Sequence, residues 1–134
     1  MTAYVDSSAL LKRYLIEPDS KRGQSLFDED VDLVTSRITI VEVRRALGLL
    51  ASAVERVLTR ANFARDLESI SIIEVDALVC AEAASIAEET GLRSLDSIHV
   101  ASSRRISDVD ITFITFDVRQ AAVARSLGLT VFGA

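Results

Sequence analysis

Ile111-Thr112-Phe113-Ile114-Thr115-Phe116-Asp117 is the stretch on which the reading of this chain turns. Six consecutive β-branched or aromatic residues give the strongest strand signal in the sequence, and Asp117, a favoured helix cap, ends it. A helical pattern follows to Gly128, and Leu129-Thr130-Val131-Phe132 predicts a last strand. The same strand, cap, helix step opens the chain. Tyr4-Val5 runs into Asp6-Ser7-Ser8, after which Leu10, Leu11, Tyr14 and Leu15 recur at helical spacing until Pro18.

Between these two steps the pattern repeats. Asp19 to Asp30 predicts a short polar helix, and Asp32-Leu33-Val34-Thr35-Ser36 a brief strand. A long helix is expected from Arg37 to about Ser52, with Ile38, Val41, Ala46, Leu49 and Leu50 as its apolar side. A second carries Val54, Val57, Leu58, Ala61 and Leu67. Ile70 to Val75 is β-rich, Asp76 caps a helix ending at Gly91, and Ser94 starts another that runs to about Ile106 before a turn at Asp108. Strands alternating with helices predict an α/β protein, a parallel sheet covered on both faces with right-handed crossovers.

At 134 residues the chain has the size of one domain, 1–134. Hydrophobic residues make up 49% and charged ones 26%, a composition that excludes disorder and low complexity. No apolar run reaches the roughly 18 to 20 residues needed to span a bilayer, and the first residues lack the pattern of a signal peptide, so a cytoplasmic protein is expected. The single cysteine, Cys80, lies in Ala77-Leu78-Val79-Cys80-Ala81 and reads as a small core hydrophobe. A net charge of −5 argues against a coat of nucleic acid held by global positive charge. It does not exclude nucleic acid as a substrate, since carboxylates gathered around a cation leave a locally positive site.

In an open α/β sheet the ligand crevice lies beyond the carboxyl ends of the strands. Asp6 and Asp117 both end strands, and they share one crevice if those strands are neighbours. Each also reads as a helix N-cap, and the two roles are compatible. Glu42 interrupts Ile38-Thr39-Ile40-Val41-Glu42-Val43 on an expected apolar face, where a carboxylate persists only if it is paired or bound to metal. A buried ion pair with Arg44 or Arg45 is the structural alternative. Asp96 falls in the first turn of a helix, where the dipole favours its charge. Together these acids offer only oxygen ligands, a set suited to Mg²⁺ or Mn²⁺. His99 alone cannot build a zinc site and reads as a packing residue or one supporting the site from behind. No glycine-rich phosphate loop can be written from the five glycines.

The run from Tyr4 to Tyr14 resembles the opening of PIN-domain proteins, especially the VapC-type toxin ribonucleases. Thr35-Ser36 leading to Glu42, then Leu95-Asp96-Ser97-Ile98-His99-Val100-Ala101, then Thr115-Phe116-Asp117 agree with it in order, and Ala122 to Leu129 resembles the closing helix and turn. The resemblance implies a PIN-like three-layer fold with about five parallel strands flanked by helices. It further implies a Mg²⁺-dependent endoribonuclease acting on RNA, restrained by a cognate antitoxin. Asp6, Glu42, Asp96 and Asp117 match the acidic quartet, with Asp6 and Asp96 as metal ligands and Glu42 and Asp117 completing the pocket directly or through water. Where family members often carry a further acid shortly after the fourth, this chain has Val118 and Arg119. A homodimer is expected from the family and from the apolar helices after Arg37.

Ser7 and Thr115 are candidates to hydrogen-bond the site, and Arg13, Arg37, Arg44, Arg45 and Arg104 to contact phosphates. The rival readings are a non-catalytic PIN-like module binding RNA or protein, whose acids serve as caps, and a phosphoryl-transfer or receiver domain. The second lacks its acidic pair at the first strand, because Asp6 is followed by two serines. A quartet of carboxylates repels itself when no cation is present.

Overall fold

The computed structural model describes residues 1–15, 30–106 and 110–134. The polar helix expected over 19–30 falls almost wholly outside the described residues, as do the stop at Pro18 and the turn at Asp108. In chain order the elements are β1 (Thr2–Val5), α1 (Ser7–Leu11), β2 (Asp32–Ser36), α2 (Arg37–Gly48), α3 (Ala53–Leu67) and β3 (Ser71–Ile73), followed by α4 (Ala77–Thr90), α5 (Ser94–Ser103), β4 (Ile111–Thr115), α6 (Val118–Ser126) and β5 (Thr130–Gly133). The strands form one parallel sheet in the order β3-β2-β1-β4-β5. β1 and β4 are therefore neighbours, with Tyr4 opposite Phe113 and Val5 opposite Ile114, and the residues that end them, Asp6 and Asp117, emerge on one edge.

Alternation along β1 divides the core into layers. Tyr4 packs with Phe113, Val79, Ile86 and Val100 beneath α4, α5 and α6, whereas Ala3 and Val5 join Ala9 and Ile114 on the opposite side. A further cluster of Leu10, Val43, Leu47, Phe63 and Ile70 locks α1, α2 and α3 together. The rings of Tyr4 and Phe113 stack at 5.3 Å across adjacent strands. This is the expected three-layer arrangement with helices on both faces.

Two expectations about helix faces are corrected. The buried side of α2 is Thr39, Val43 and Leu47, while Val41 and Leu49 point to solvent. The hidden stripe was disguised because its first member is a threonine, whose hydroxyl is satisfied 2.7 Å from that of Thr35. In α3 only Phe63 is buried, and Val54, Val57 and Leu58 are exposed. Cys80 is also exposed rather than a core residue, because Val79, Ala83 and Ile86 at i, i+4 and i+7 define the inward face of α4 and the next residue is rotated about 100° away.

Gly133 sits opposite Thr115 in the β4–β5 register with φ +116°, and a Cβ built there would overlap the Thr115 carbonyl oxygen. Gly48, at the end of α2, has open space around a Cβ. Gly133→Ala is expected to destabilise the protein by about 1–3 kcal/mol, and Gly48→Ala to stabilise it by about 0.4–1 kcal/mol. Thermal melts check both, and a Gly133→Ala protein melting at or above the wild type would contradict this account of the close approach.

Candidate active site

Asp6 is the deepest of the acids, 2% exposed at the end of the central strand. It caps α1, its Oδ1 accepting from the Ala9 amide at 2.8 Å and from the Ser8 hydroxyl at 2.7 Å, and its Oδ2 accepts from the Thr115 hydroxyl at 2.6 Å. The cap and the site thus use the same side chain. Burial pushes the Asp6 carboxyl above its ordinary pKa, against the opposing pull of His99, Thr115, Ala9 and Ser8. Thr115 is in contact as anticipated, but the hydrogen bond assigned to Ser7 is made by Ser8, which also accepts from the Phe116 amide at 3.0 Å. α1 is thereby tied across to the end of β4.

Asp117 caps α6 in the same manner, Oδ1 accepting from the Gln120 amide at 2.8 Å. Its Oδ2 accepts from Arg93 Nη2 at 3.2 Å, and Arg93 Nε donates to Asp96 Oδ2 at 2.9 Å. A single guanidinium therefore joins two of the four acids. The side chain of the fully buried Gln120 links Asp96 to Thr115 from behind, its Nε2 donating to the Asp96 carbonyl at 3.2 Å and its Oε1 accepting from Thr115 Oγ1 at 3.2 Å.

Glu42 stands on the flank of α2, partly exposed, and its Oε1 lies 2.6 Å from Nε2 of the buried His99. The other imidazole nitrogen, Nδ1, lies 2.8 Å from the Tyr4 hydroxyl. The partner of Glu42 is thus an imidazole on α5, not Arg44 or Arg45 of its own helix. His99 supports the site from behind, as the sequence suggested, and Tyr4 extends that support into the core. Burial, followed by the Asp6 charge, raises the Tyr4 phenol well above its ordinary range, so it remains a neutral hydroxyl. Sequence reasoning missed Arg93, Ser8 and Gln120. The signal for Arg93 was its place three residues before Asp96, a spacing at which side chains on a helix meet.

The arginines proposed as phosphate contacts are mostly committed elsewhere. Arg13 Nε donates to Asp66 at 2.7 Å, tying α1 to the end of α3, and Arg37 makes two 2.7 Å bonds to Glu74. Arg104 pairs with Glu82 at 2.8 Å and lines a cavity with Met1, Asp110 and Thr130 at the opposite edge of the sheet. The reason is length: the rise of α5 carries the chain about 12 Å from Asp96 to Arg104. Arg45 is exposed on α2, and Arg44 lines a groove between α2 and α3 with Arg56 and Arg60.

The PIN domain family model matches residues 3–126. This chain belongs to the PIN-domain family. Ribonuclease VapC35 of Mycobacterium tuberculosis is 32% identical over 136 residues, covering 96% of this chain and 93% of the relative. Ribonuclease VapC46 of the same organism is 31% identical over 129 residues, covering 96% and 94%. Among solved structures, FitAcB from Neisseria gonorrhoeae superposes with a TM-score of 0.74 at 20% identity, covering 98% of this chain and 96% of that one. The sarcin-ricin loop cleaving toxin VapC20 of M. tuberculosis gives 0.72 at 16% identity, with 96% of each chain covered.

The donor chemistry of this PIN-domain crevice fits a hard divalent cation, being all carboxylate with hydroxyls behind. Among the described residues no three acid, imidazole or thiol groups converge into a ready-made cage. The acids are instead held apart on Arg93, His99 and Thr115. Mg²⁺ is compatible with this, because it commonly takes one or two carboxylates and keeps several waters.

The raised Asp6 pKa has a measurable sign. Its contribution to stability is present in full below the ordinary carboxylate range of about pH 4, and is lost as pH rises through the higher folded-state value. Asp6→Asn cannot titrate, so in chelator its melting temperature relative to wild type should increase between about pH 4 and pH 7. A difference that is flat or falls over that range would contradict the burial argument.

Proposed function

We propose that this PIN domain is a divalent-metal-dependent endoribonuclease that hydrolyses RNA phosphodiester bonds as the toxin of a toxin-antitoxin pair. The reading is supported by the arrangement of three acids, Asp6 ending β1 and accepting from Thr115 of the adjacent β4, and Asp96 and Asp117 joined through Arg93, in a chain similar to ribonuclease VapC35 over nearly its whole length. Glu42, reached through His99, completes the quartet.

Mg²⁺, or Mn²⁺ in its place, would be held by Asp6 and Asp96, with Glu42 and Asp117 binding directly or through water. Bound there, such an ion lowers the pKa of water and neutralises charge on the phosphate. Asp6 supplies a ligand of fixed orientation, since its backbone and hydroxyl partners leave it no rotamer to explore. Glu42 is the acid best placed to accept a proton, because it is more exposed than Asp6 and His99 fixes one of its oxygens.

RNA is the substrate class, and the partner is an antitoxin whose arginine pairs with the crevice acids. A toxin-antitoxin complex from Klebsiella pneumoniae and FitAB bound to an IR36 DNA fragment share the fold at TM-scores of 0.67 and 0.71. A homodimer is supported by the exposed apolar side chains of Val41 in α2, Leu49 just after it, and Val54, Val57 and Leu58 in α3. Among the described residues no helix is long and apolar enough to cross a membrane, and the cytoplasm, where RNA is met, is the proposed location.

Purified protein incubated with labelled RNA should cut it in Mg²⁺ or Mn²⁺ and stop when a chelator is added. Asp6→Asn should lose cleavage while keeping the wild-type circular dichroism spectrum. Cleavage that survives exhaustive chelation, or an Asp6→Asn protein of full activity, would overturn the proposal in favour of a site that does not use these acids.

A further inference from the structure

Arg93 differs from the other arginines of the described chain in the company it keeps. Arg13, Arg37 and Arg104 pair with acids outside the quartet, Asp66, Glu74 and Glu82. Arg93 divides one guanidinium between two members of it, Nε to Asp96 and Nη2 to Asp117. Its backbone is fixed at the start of α5, where its carbonyl accepts from the Ser97 amide at 2.8 Å. Its side chain is 67% exposed, against 16% for Asp96 and 28% for Asp117. The anchor is fixed in the helix start, while the exposed head group is held by its two ion pairs with little packing around it.

A guanidinium and a divalent cation are alternatives for the same carboxylate oxygens, since two positive centres on one oxygen repel each other. Arg93 therefore fills the electrostatic need of Asp96 and Asp117 while no metal is bound. Once those oxygens are taken by a cation, the guanidinium loses both partners but stays tethered at the mouth of the crevice. Its planar fork of donors matches a phosphate as well as it matches a carboxylate, and the same cation brings a phosphate to that place.

We propose that Arg93 is a phosphate-positioning residue of this crevice, held in reserve on Asp96 and Asp117 and released to the RNA backbone when a divalent cation displaces it. The proposal rests on the reading of the crevice as a metal-dependent nuclease site. It assigns one side chain two successive partners and links metal loading to substrate binding.

The test compares the full chain with Arg93→Gln and Arg93→Lys. Calorimetric titration with Mn²⁺ alone should show Arg93→Gln binding about 2- to 10-fold more tightly than wild type, the gain expected when exposed ion pairs no longer compete. In saturating Mg²⁺, KM for single-stranded RNA should rise about 3- to 10-fold with kcat changed less, and the salt dependence of log KM should flatten by about 0.7 for one lost phosphate contact. Arg93→Lys should fall between the two. Unchanged or weaker Mn²⁺ binding by Arg93→Gln, or an unchanged KM, would overturn the assignment. A wild-type chain that binds no Mn²⁺ and cuts no RNA would instead overturn the nuclease reading itself, a result distinct from a metal-binding, RNA-cutting protein indifferent to Arg93.

Discussion

Neighbouring carboxylates repel each other unless positive charge or hydrogen-bond donors compensate them, and this fold ends the adjacent strands β1 and β4 in Asp6 and Asp117, with Asp96 joined to Asp117 through one guanidinium. The surroundings of the crevice can be understood as the answer to that repulsion. Asp6 is surrounded by donors from Ala9, Ser8 and Thr115. Glu42 is placed against the imidazole of His99, and Asp96 and Asp117 share Arg93. Each acid is compensated, and the compensating groups come from three elements or their ends, α1, β4 and α5. A chain that misplaced α5 relative to β1 and β4 would lose His99, Arg93 and Asp96 from the site at once.

The same constraint explains why the core behind the crevice is polar in places. Tyr4, His99 and Gln120 are almost completely buried; His99 meets Glu42, Gln120 meets the Asp96 carbonyl, and Tyr4 backs His99. A buried polar group is costly unless it is hydrogen-bonded, so a relay running from Tyr4 through His99 to Glu42 fixes rotamers as an apolar contact would not. Asp6 is coupled to the same relay: its charge raises the Tyr4 phenol, and His99 opposes the upward push of burial on the Asp6 carboxyl. The rigidity of the site therefore originates in the sheet, with the helices supplying the counter-charges.

Much of this was legible in the sequence because it depends on local rules. The strand at Ile111–Thr115 and the caps Asp6, Asp76 and Asp117 lie where residue type and spacing put them. The left-handed Gly91, at φ 74°, closes α4 as expected. The rest is decided by tertiary contacts. Thr39 is core because Thr35 satisfies its hydroxyl, a fact invisible to a hydrophobic pattern. Cys80 is exposed because a neighbour one residue away owns the inward face. Arg93, Ser8 and Gln120 entered the site through contacts 24 to 108 residues distant in sequence, and Arg13, Arg37 and Arg104 pair instead with Asp66, Glu74 and Glu82.

A crystal of the full chain soaked in Mn²⁺ and measured at the manganese absorption edge tests the central claim most directly, that the carboxylates at the ends of β1 and β4 are a cation site balanced by an internal arginine. The account predicts an anomalous peak in the crevice within coordination distance of Asp6 or Asp96, with the Arg93 guanidinium moved off Asp96 and Asp117. A soak at millimolar Mn²⁺ that leaves the crevice without a peak and Arg93 still bridging both acids would contradict it.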